Sequence, residues 1–281
     1  MAAIITLTTD FGTRDAYVAE MKGAILGIAR AARQAVQLVD VTHEVSPHDV
    51  AEGALALEAA APFFPPGTVH VAVVDPGVGT ARRGLAVVAR GQVFVGPDNG
   101  LFTPFLAGAD WAAFELAAAE YRLPVVSRTF HGRDVFAPAA AHVATGVAPA
   151  RLGPPVRDPV RLAWPTALAT EGQLAGAVVH VDRFGNLVTS IRGDLLEAFG
   201  RDATVSVAGR AVARVGTYGE LGPGCAGALV GSGGRLEIAV REGSAAAVLR
   251  ARRGTAVVVS RTTRTTTTKG AKPVKPARGR S

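Results

Sequence analysis

Three aspartates in this sequence each follow directly on a run of apolar and β-branched residues. The runs ITLTT, VHVAVV and VVHV lead into Asp10, Asp75 and Asp182, respectively. A charged side chain at the carboxyl end of a strand lies where open α/β sheets bind their ligands. Each aspartate alone could equally cap a turn or the next helix. Together the three favour a binding or catalytic site, and the turns FGT and PGVGT contain the glycines that allow a ligand close to the backbone.

Two polar segments could add ligands for a metal ion. They are VDVTHEVSPHD and the turn FHGRD. Carboxylate oxygens and imidazole nitrogens are common metal ligands in proteins. No short motif such as HExxH accompanies them, so the metal site is an alternative and no metal is predicted. Such a site would draw on Asp10, His43, Glu44, His48, Asp49, Asp75, His131 and Asp134.

Two glycine-rich segments resemble nucleotide-binding motifs in residue pattern but not in their predicted structural context. GPGCAG has the GxGxxG pattern, but the residues that follow, ALVGSGG, do not predict the helix that a dinucleotide site requires. DPGVGTARR lacks the GK[ST] ending of a phosphate-binding loop. The sequence therefore predicts neither of these nucleotide-binding folds.

The spacing of apolar residues predicts the strands and helices that position these residues. In the first half, short apolar runs alternate with segments of helical period, which predicts an α/β domain with a largely parallel central sheet. Predicted strands cover residues 3–8, 37–41, 69–74, 85–89 and 93–95. Predicted helices cover residues 14–33, 50–61 and 136–145.

A proline-rich segment separates this half from the rest of the chain. The sequence GPPVRDPVRLAWP contains four prolines, which neither a helix interior nor a central strand tolerates. We therefore predict an N-terminal α/β domain at residues 1–152, a linker at 153–170 and a smaller all-β, barrel-like domain at 171–260. The prediction of the all-β domain rests on short strand patterns that are separated by glycine-rich turns, at residues 176–181, 204–207, 210–215, 228–230, 235–240 and 256–260.

The net charge of +7 comes from the end of the chain. Residues 261–281 contain seven basic and no acidic residues, which leaves 23 basic against 23 acidic residues in the remainder. This segment has no apolar period and predicts a disordered basic tail. Because the folded part is neutral, we expect no specific nucleic-acid partner.

The number of cysteines and the N-terminal sequence indicate the cellular compartment of the protein. A single cysteine, Cys225, excludes an intramolecular disulfide and a multi-cysteine zinc site. The N-terminus has no basic segment ahead of an apolar one, and no apolar run is long enough to span a bilayer. We expect a cytoplasmic protein without a membrane partner.

Seven motifs occur in a fixed order along the chain, namely TTDFGTRDAYVAEMKG, DVTHEVSPHDVAEGA, VDPGVGTARR, GPDNGLF, TFHGRD, HVDRFGNLVTSI and GSGGRLEIAV. With them the chain resembles the S-adenosyl-L-methionine (SAM) hydroxide adenosyltransferases, which are related to the fluorinating and chlorinating enzymes. The resemblance runs from about residue 4 to residue 259 and omits only the basic tail.

The resemblance implies an architecture and a reaction. The architecture is an N-terminal α/β domain, a C-terminal barrel-like domain, and a homotrimer whose substrate lies between one subunit's N-domain and its neighbour's C-domain. The reaction is hydrolysis of SAM to adenosine and L-methionine, with SAM as substrate and no metal or other cofactor.

The resemblance also implies a catalytic triad of Asp75, Arg82 and His131. In the halogenating relatives the position of Asp75 is not acidic, so this residue argues for water as the nucleophile. A carboxylate within reach of a water can take its proton as it attacks the ribose C5′. Arg82 and His131 would hold the water oxygen in line and share charge with Asp75.

Seven other residues match substrate-binding positions of the family. Of these, Phe184 and Tyr218 could alternatively be core residues, and Asn186 could merely shape a turn. The implied contacts are Asp10 with the ribose hydroxyls, Asp15 and Asp182 near the ammonium of the amino-acid moiety, Phe184 and Tyr218 against the base, and Asn186 and Ser232 with adenine or the methionine carboxylate.

Two other functions remain open from the residues. One is a metal-dependent nucleotidase or phosphatase that uses the aspartate and histidine cluster, which a chelator would inactivate. The other is a SAM-binding module without turnover that uses the basic tail to contact nucleic acid.

Overall fold

The computed structural model describes residues 2–200 and 203–261. The chain divides between Trp164 and Pro165 into two compact units. Within the described ranges, the helices are all too short or too polar to cross a membrane.

The first unit is built on a six-stranded sheet with the strand order β2-β1-β3-β5-β4-β6. Strand β1 is parallel to β2 and β3, and β3 is parallel to β5, whereas β4 is antiparallel to its neighbours β5 and β6. The predicted α/β fold with a largely parallel sheet is therefore confirmed. The strands are β1 (Ala3–Thr9), β2 (Val36–Thr42), β3 (Val69–Val73), β4 (Gly84–Ala89), β5 (Gln92–Pro97) and β6 (Trp111–Glu115).

Helices cover both faces of this sheet, which explains why the central strand β3 is buried along its whole length. They are α1 (Tyr17–Ala31), α2 (Val50–Ala60) and α3 (Ala137–Ala144). Helices α1 and α3 share one apolar cluster with Val71 and Val73, and α2 shares another with Ala72 and Val74. Successive residues of β3 thus point into opposite cores, as the strand period requires.

The proline-rich segment runs along the first unit. Val156 N donates to Ala113 O at 2.8 Å, and Pro154 O accepts from Glu115 N at 2.9 Å, both in strand β6 or at its end. Further on, Leu162 N donates to Thr103 Oγ1 at 2.8 Å. The segment thus finds backbone partners despite its prolines.

The second unit is a closed barrel. Seven strands follow one another in the order β14-β10-β11-β12-β13-β9-β8, and β8 pairs back onto β14. Closure removes the unpaired edges that an open sheet would expose. The predicted barrel-like C-terminal fold is confirmed. Its elements are β7 (Leu168–Ala169), β8 (Gln173–Val181), β9 (Leu187–Arg192), α4 (Gly193–Phe199), β10 (Thr204–Val207), β11 (Arg210–Arg214), β12 (Ala226–Val230), β13 (Arg235–Val240), α5 (Ala245–Leu249) and β14 (Ala256–Ser260).

The described chain ends with Arg261 attached to the barrel unit. Its backbone N–H donates to Gly172 O at 3.1 Å, and its guanidinium lies 4.8 Å from the ring centre of Phe199. Residues 262–281 lie outside the described residues, so the disordered basic tail remains a prediction.

Candidate active site

A tight loop follows β3 and carries Asp75 and Arg82. Val78 N donates to Asp75 O at 3.2 Å, and Thr80 N donates to Gly77 O at 3.1 Å, so two successive turns fold the loop back on itself. Gly79 has a φ of +79°, and a Cβ at this position would lie 2.6 Å from the carbonyl oxygen of Arg128. Only glycine fits at this position. Beyond Gly79 the chain folds back, which brings the Arg82 side chain into contact with Asp75.

Asp75 and Arg82 form a buried ion pair. Arg82 Nε lies 3.0 Å from Asp75 Oδ1 and 3.1 Å from Oδ2, and Arg82 Nη2 also donates to Oδ2. The Asp75 side chain is 5% exposed and that of Arg82 is 11% exposed. Charge-assisted hydrogen bonds of this kind are stronger than neutral ones and fix the orientation of the carboxylate.

His131 completes the group on the other side of Arg82. Arg82 Nη2 lies 2.8 Å from His131 Nδ1. Because a guanidinium can only donate, Nδ1 accepts and the imidazole proton lies on Nε2. Burial, and then the positive charge of Arg82, lower the pKa of His131. The imidazole is therefore neutral at pH 7.

An irregular helical turn positions His131. Residues Gly132–Phe136 form a π-helical turn that leads into α3, and Ala137 N donates to Gly132 O. Pro138 has no N–H, so the Asp134 carbonyl accepts instead from Leu123 N, at 2.9 Å. Turns of this type are frequent at functional sites.

Asp134 holds this turn together. Its carboxylate is fully buried and accepts from Arg133 Nε at 2.6 Å and from Ser127 N at 2.8 Å. Arg133 also pairs with Glu20 of α1, at 2.7 Å. These contacts tie the loop that carries His131 to Ser127 and to α1.

The described residues do not form the ligand cluster that the alternative metal site would require. Among the described residues, no three His, Cys, Asp or Glu side chains converge as metal ligands. His43 instead bridges Thr9 Oγ1, at 2.9 Å, and Asp40 Oδ1, at 3.0 Å. Asp49 caps α2 by accepting from Glu52 N at 3.0 Å.

Asp10 and Asp15 lie in the loop between β1 and α1. Because β1 and β3 are adjacent and parallel, this loop is at the same edge of the sheet as Asp75. Asp10 Oδ2 accepts from His48 N at 2.8 Å, which ties the loop to the one that follows β2. Asp15 is exposed.

Asp182 and Asn186 build the turn between β8 and β9. Asp182 Oδ1 accepts from Phe184 N at 2.9 Å and from Asn186 N at 2.8 Å, and Oδ2 accepts from Asn186 Nδ2 at 3.0 Å. Asn186 therefore shapes this turn, which was the alternative role predicted for it. Gly185 has a φ of +82°, and a Cβ there would lie 2.1 Å from Ser244 Oγ.

The two predicted aromatic contacts are exposed in the barrel unit. Phe184 is 77% exposed and Tyr218 is 47% exposed, so the alternative that they are core residues is wrong. Tyr218 donates its hydroxyl to the carboxylate of Glu237 on β13. Partial desolvation of the side chain, and then this hydrogen bond, raise the pKa of Tyr218 to about 12. Ser232 is exposed in the turn between β12 and β13.

Sequence reasoning missed Glu237 as a partner of Tyr218. It is a nearly buried acid in a strand whose other residues are mostly apolar, RLEIAV. Its neighbours Leu236 and Ile238 pack in the barrel core, so the strand alternation places Glu237 on the opposite face. An acid at such a position is usually exposed, and the sequence pattern therefore gives no signal that this carboxylate is buried and needs a partner.

The chain belongs to the SAM hydroxide adenosyltransferase family. Residues 5–153 match the N-terminal domain of that family, and residues 176–258 match its C-terminal domain. The resemblance seen in the seven motifs is therefore confirmed, and with it the assignment of the chain as an enzyme.

Individual relatives agree with this placement. An (R)-S-adenosyl-L-methionine hydrolase of Thermus thermophilus is 44% identical over 254 residues, which are 88% of this chain and 95% of that protein. One of Salinispora arenicola is 43% identical over 251 residues, 87% of this chain and 93% of that protein. A fluorinase of Actinopolyspora mzabensis is 34% identical over 225 residues, which are 70% of this chain and 74% of that protein.

A solved structure has the same fold. A conserved protein of uncharacterised function from Thermotoga maritima superposes with a TM-score of 0.85 at 33% identity, and the match covers 92% of this chain and all of that one.

Proposed function

We propose that this chain hydrolyses SAM to adenosine and L-methionine by attack of water on the ribose C5′. The observation that carries the proposal is the buried contact of Asp75 with Arg82 and of Arg82 with His131. The names of the hydrolase relatives, which share over two fifths of their residues with this chain, support the same reaction.

In the proposed mechanism Asp75 is the general base. The water oxygen forms a bond to C5′ while its proton passes to the Asp75 carboxylate and from there to solvent. The C5′–S bond breaks, and its electron pair stays on sulfur as the neutral thioether of methionine. Arg82 holds the carboxylate in place, and the Nε2–H of His131 is the group on the far side of Arg82 that can orient the water.

The charge of the substrate favours this arrangement. The sulfonium is positive, so attack by a water that is losing its proton neutralises charge. A site from which bulk water is excluded strengthens that attraction. The Asp75 carboxylate repels chloride and fluoride, so water is the nucleophile.

Substrate binding falls to residues of both units. The proposed contacts are Asp10 with the ribose hydroxyls, Asp15 and Asp182 with the ammonium, Phe184 and Tyr218 with the faces of the base, and Asn186 and Ser232 with adenine or the carboxylate. The exposed rings and the hydrogen-bonded turn that carries Phe184 support this division.

We further propose a homotrimer, with each substrate held between the first unit of one subunit and the second unit of its neighbour. Its support is the distribution of the substrate residues over two compact units. The proposed setting is cytoplasmic, which the single cysteine supports, and the reaction uses no metal or other cofactor. A monomer by light scattering that still turned over SAM would contradict the shared site.

The test is incubation of the full chain with SAM and a chelator, with and without chloride or fluoride, followed by chromatography. The expected products are adenosine and L-methionine in equal amounts, unchanged by chelator or halide. Loss of activity in chelator would favour the metal-dependent nucleotidase instead. Tight SAM binding without products would favour the non-catalytic binding module, and a 5′-halogenated adenosine as main product would refute water as nucleophile.

A further inference from the structure

Two residues directly after β5 contact both ends of the loop that carries Asp75 and Arg82. They are Asp98 and Asn99, from the motif GPDNGLF, and the mechanism above does not use them. Strand β5 is parallel to its neighbour β3. The two strands therefore end at the same edge of the sheet, next to the loop after β3.

Asn99 holds the beginning of that loop. Its Nδ2 donates to the carbonyl oxygen of Val74 at 2.8 Å, and Val74 is the residue immediately before Asp75. Its Oδ1 accepts from Leu101 N at 3.3 Å, which fixes the orientation of the amide.

Asp98 holds the end of the loop. Its backbone N–H donates to Arg83 O at 3.0 Å, and its Oδ2 accepts from Arg83 Nε at 2.8 Å. Arg83 is the residue immediately after Arg82. The Asp98 side chain is 3% exposed, and its other oxygen accepts from Val160 N at 2.7 Å. A buried carboxylate with these partners has little freedom to move.

We propose that Asp98 and Asn99 are positioning residues for the hydrolysis of SAM. They fix the residues that flank the loop on both sides, and so fix Asp75 and Arg82 relative to each other and to the attacking water. The inference rests on the proposed function. Its physical basis is that a misplacement of about 1 Å in a reacting group can cost about 100-fold in rate.

The test compares Asn99→Asp with a matched control in β5, the strand that precedes Asn99. Asn99→Asp keeps the size and the acceptor for Leu101 but places an oxygen against the Val74 carbonyl. The control is Gln92→Ala at the other end of β5, where the Gln92 amide donates to two backbone carbonyls, Ala61 O at 3.0 Å and Phe64 O at 2.9 Å. Asn99→Asp loses one hydrogen bond to a backbone carbonyl and Gln92→Ala loses two, but only the bond of Asn99 is at the loop.

We expect Asn99→Asp to lower kcat about 10- to 100-fold, with the KM for SAM within about 2-fold of the wild type. Gln92→Ala should lower the melting temperature but leave kcat unchanged. A kcat near that of the wild type in the Asn99 variant, or a change in KM alone, would overturn the proposal. Asp98→Asn is the second variant, with the same expected result, should Asn99→Asp not fold.

A double-variant experiment separates positioning from general damage. Because Asn99 acts through Asp75, Asn99→Asp should have little further effect on turnover in an Asp75→Ala background. Gln92→Ala should behave identically in both backgrounds. Independent, additive losses for the Asn99 and Asp75 changes would overturn the proposal.

A crystal structure of Asn99→Asp distinguishes failure of this inference from failure of the proposed function. If the wild type does not hydrolyse SAM, the proposed function fails, but the structural part is still decided. The expected result is a displaced Val74–Asp75 peptide and an altered contact between Asp75 and Arg82. A loop in its original position would overturn the positioning role.

Discussion

The turns after β3 and after β8 begin alike and are built differently. Asp75 accepts from Arg82, seven residues further on, whose guanidinium also reaches His131. Asp182 accepts from the backbone and side chain of its own turn, Phe184 and Asn186. One strand-end aspartate thus fixes charged groups against each other, and the other fixes a loop that presents an aromatic ring.

This difference separates the two tasks of an enzyme. The charged groups of the first turn are buried and paired, which suits groups that must be fixed at a reacting atom. Phe184, on the second turn, is 77% exposed, which suits a flat surface for a ligand. Changes at the first turn should therefore act on kcat, and changes at the second should act on KM.

The largest expected effect is that of Asp75→Asn. The substitution keeps the shape of the side chain but removes the base, so kcat should fall by about two to four orders of magnitude. The KM for SAM should change little. Asp182→Asn is the matched change at the other turn, and there we expect the larger effect on KM. Near-normal turnover by the Asp75 variant would remove the distinction between the turns.

Phe184→Ala should have the next largest effect. Stacking of an aromatic side chain on a base is worth about 1–3 kcal/mol, so KM should rise by about 5- to 150-fold with kcat unchanged. Phe63→Ala is the control, because Phe63 is 82% exposed in the first unit and has no proposed contact with SAM. Equal effects of the two substitutions on KM would contradict the assigned role of Phe184.

The pH dependence tests the neutral state of His131. The pKa of His131 is below the usual 6.5, so more than half of the imidazole is still neutral at pH 6.5. At saturating SAM, the decline of kcat that comes from protonation of His131 should therefore have its midpoint below pH 6.5. A loss of kcat with a midpoint at or above 6.5 would contradict this state.

His131→Asn provides the matched variant for that profile. The Asn Oδ1 can accept from Arg82 as His131 Nδ1 does, but it does not titrate. The variant should retain part of the activity and lose the component of the acid decline that belongs to His131. An unchanged profile would assign the decline to another group.

The smallest effect is expected from removing residues 262–281. If the tail is a disordered appendage, truncation after Arg261 should leave kcat, KM and melting temperature unchanged. Retention of the full chain on nucleic acid should disappear at moderate salt, as for a few phosphate contacts without base recognition. A loss of activity, or several degrees of melting temperature, would show that the tail packs on the folded part.

Local periodicity was sufficient to predict the main elements of the fold. The spacing of Val18, Met21 and Ile25 indicates a helix, and these side chains face the core in α1. Strand β9 was missed because its middle residues, Thr189 and Ser190, are polar although buried. Its strand conformation depends on pairing with β8 and β13, which the residues of β9 themselves do not reveal.

The site could be predicted only in part, because some of its contacts join residues that are far apart in the sequence. Spacing alone does not bring His131 to Arg82, because the two are 49 residues apart and meet through a π-helical turn. The family resemblance supplied that pairing. Asp98, by contrast, follows the apolar run VFV after only a glycine and a proline. The strand-end reasoning applied to Asp75 would have identified it.

Attack of water on the ribose C5′ of SAM can be tested by the origin of the oxygen atom in the product. The full chain is incubated with SAM in water enriched in oxygen-18, and the products are analysed by mass spectrometry. We predict one oxygen-18 atom in the 5′-hydroxyl of adenosine and none in methionine. Unlabelled adenosine, or label in methionine, would contradict the mechanism built on Asp75, Arg82 and His131.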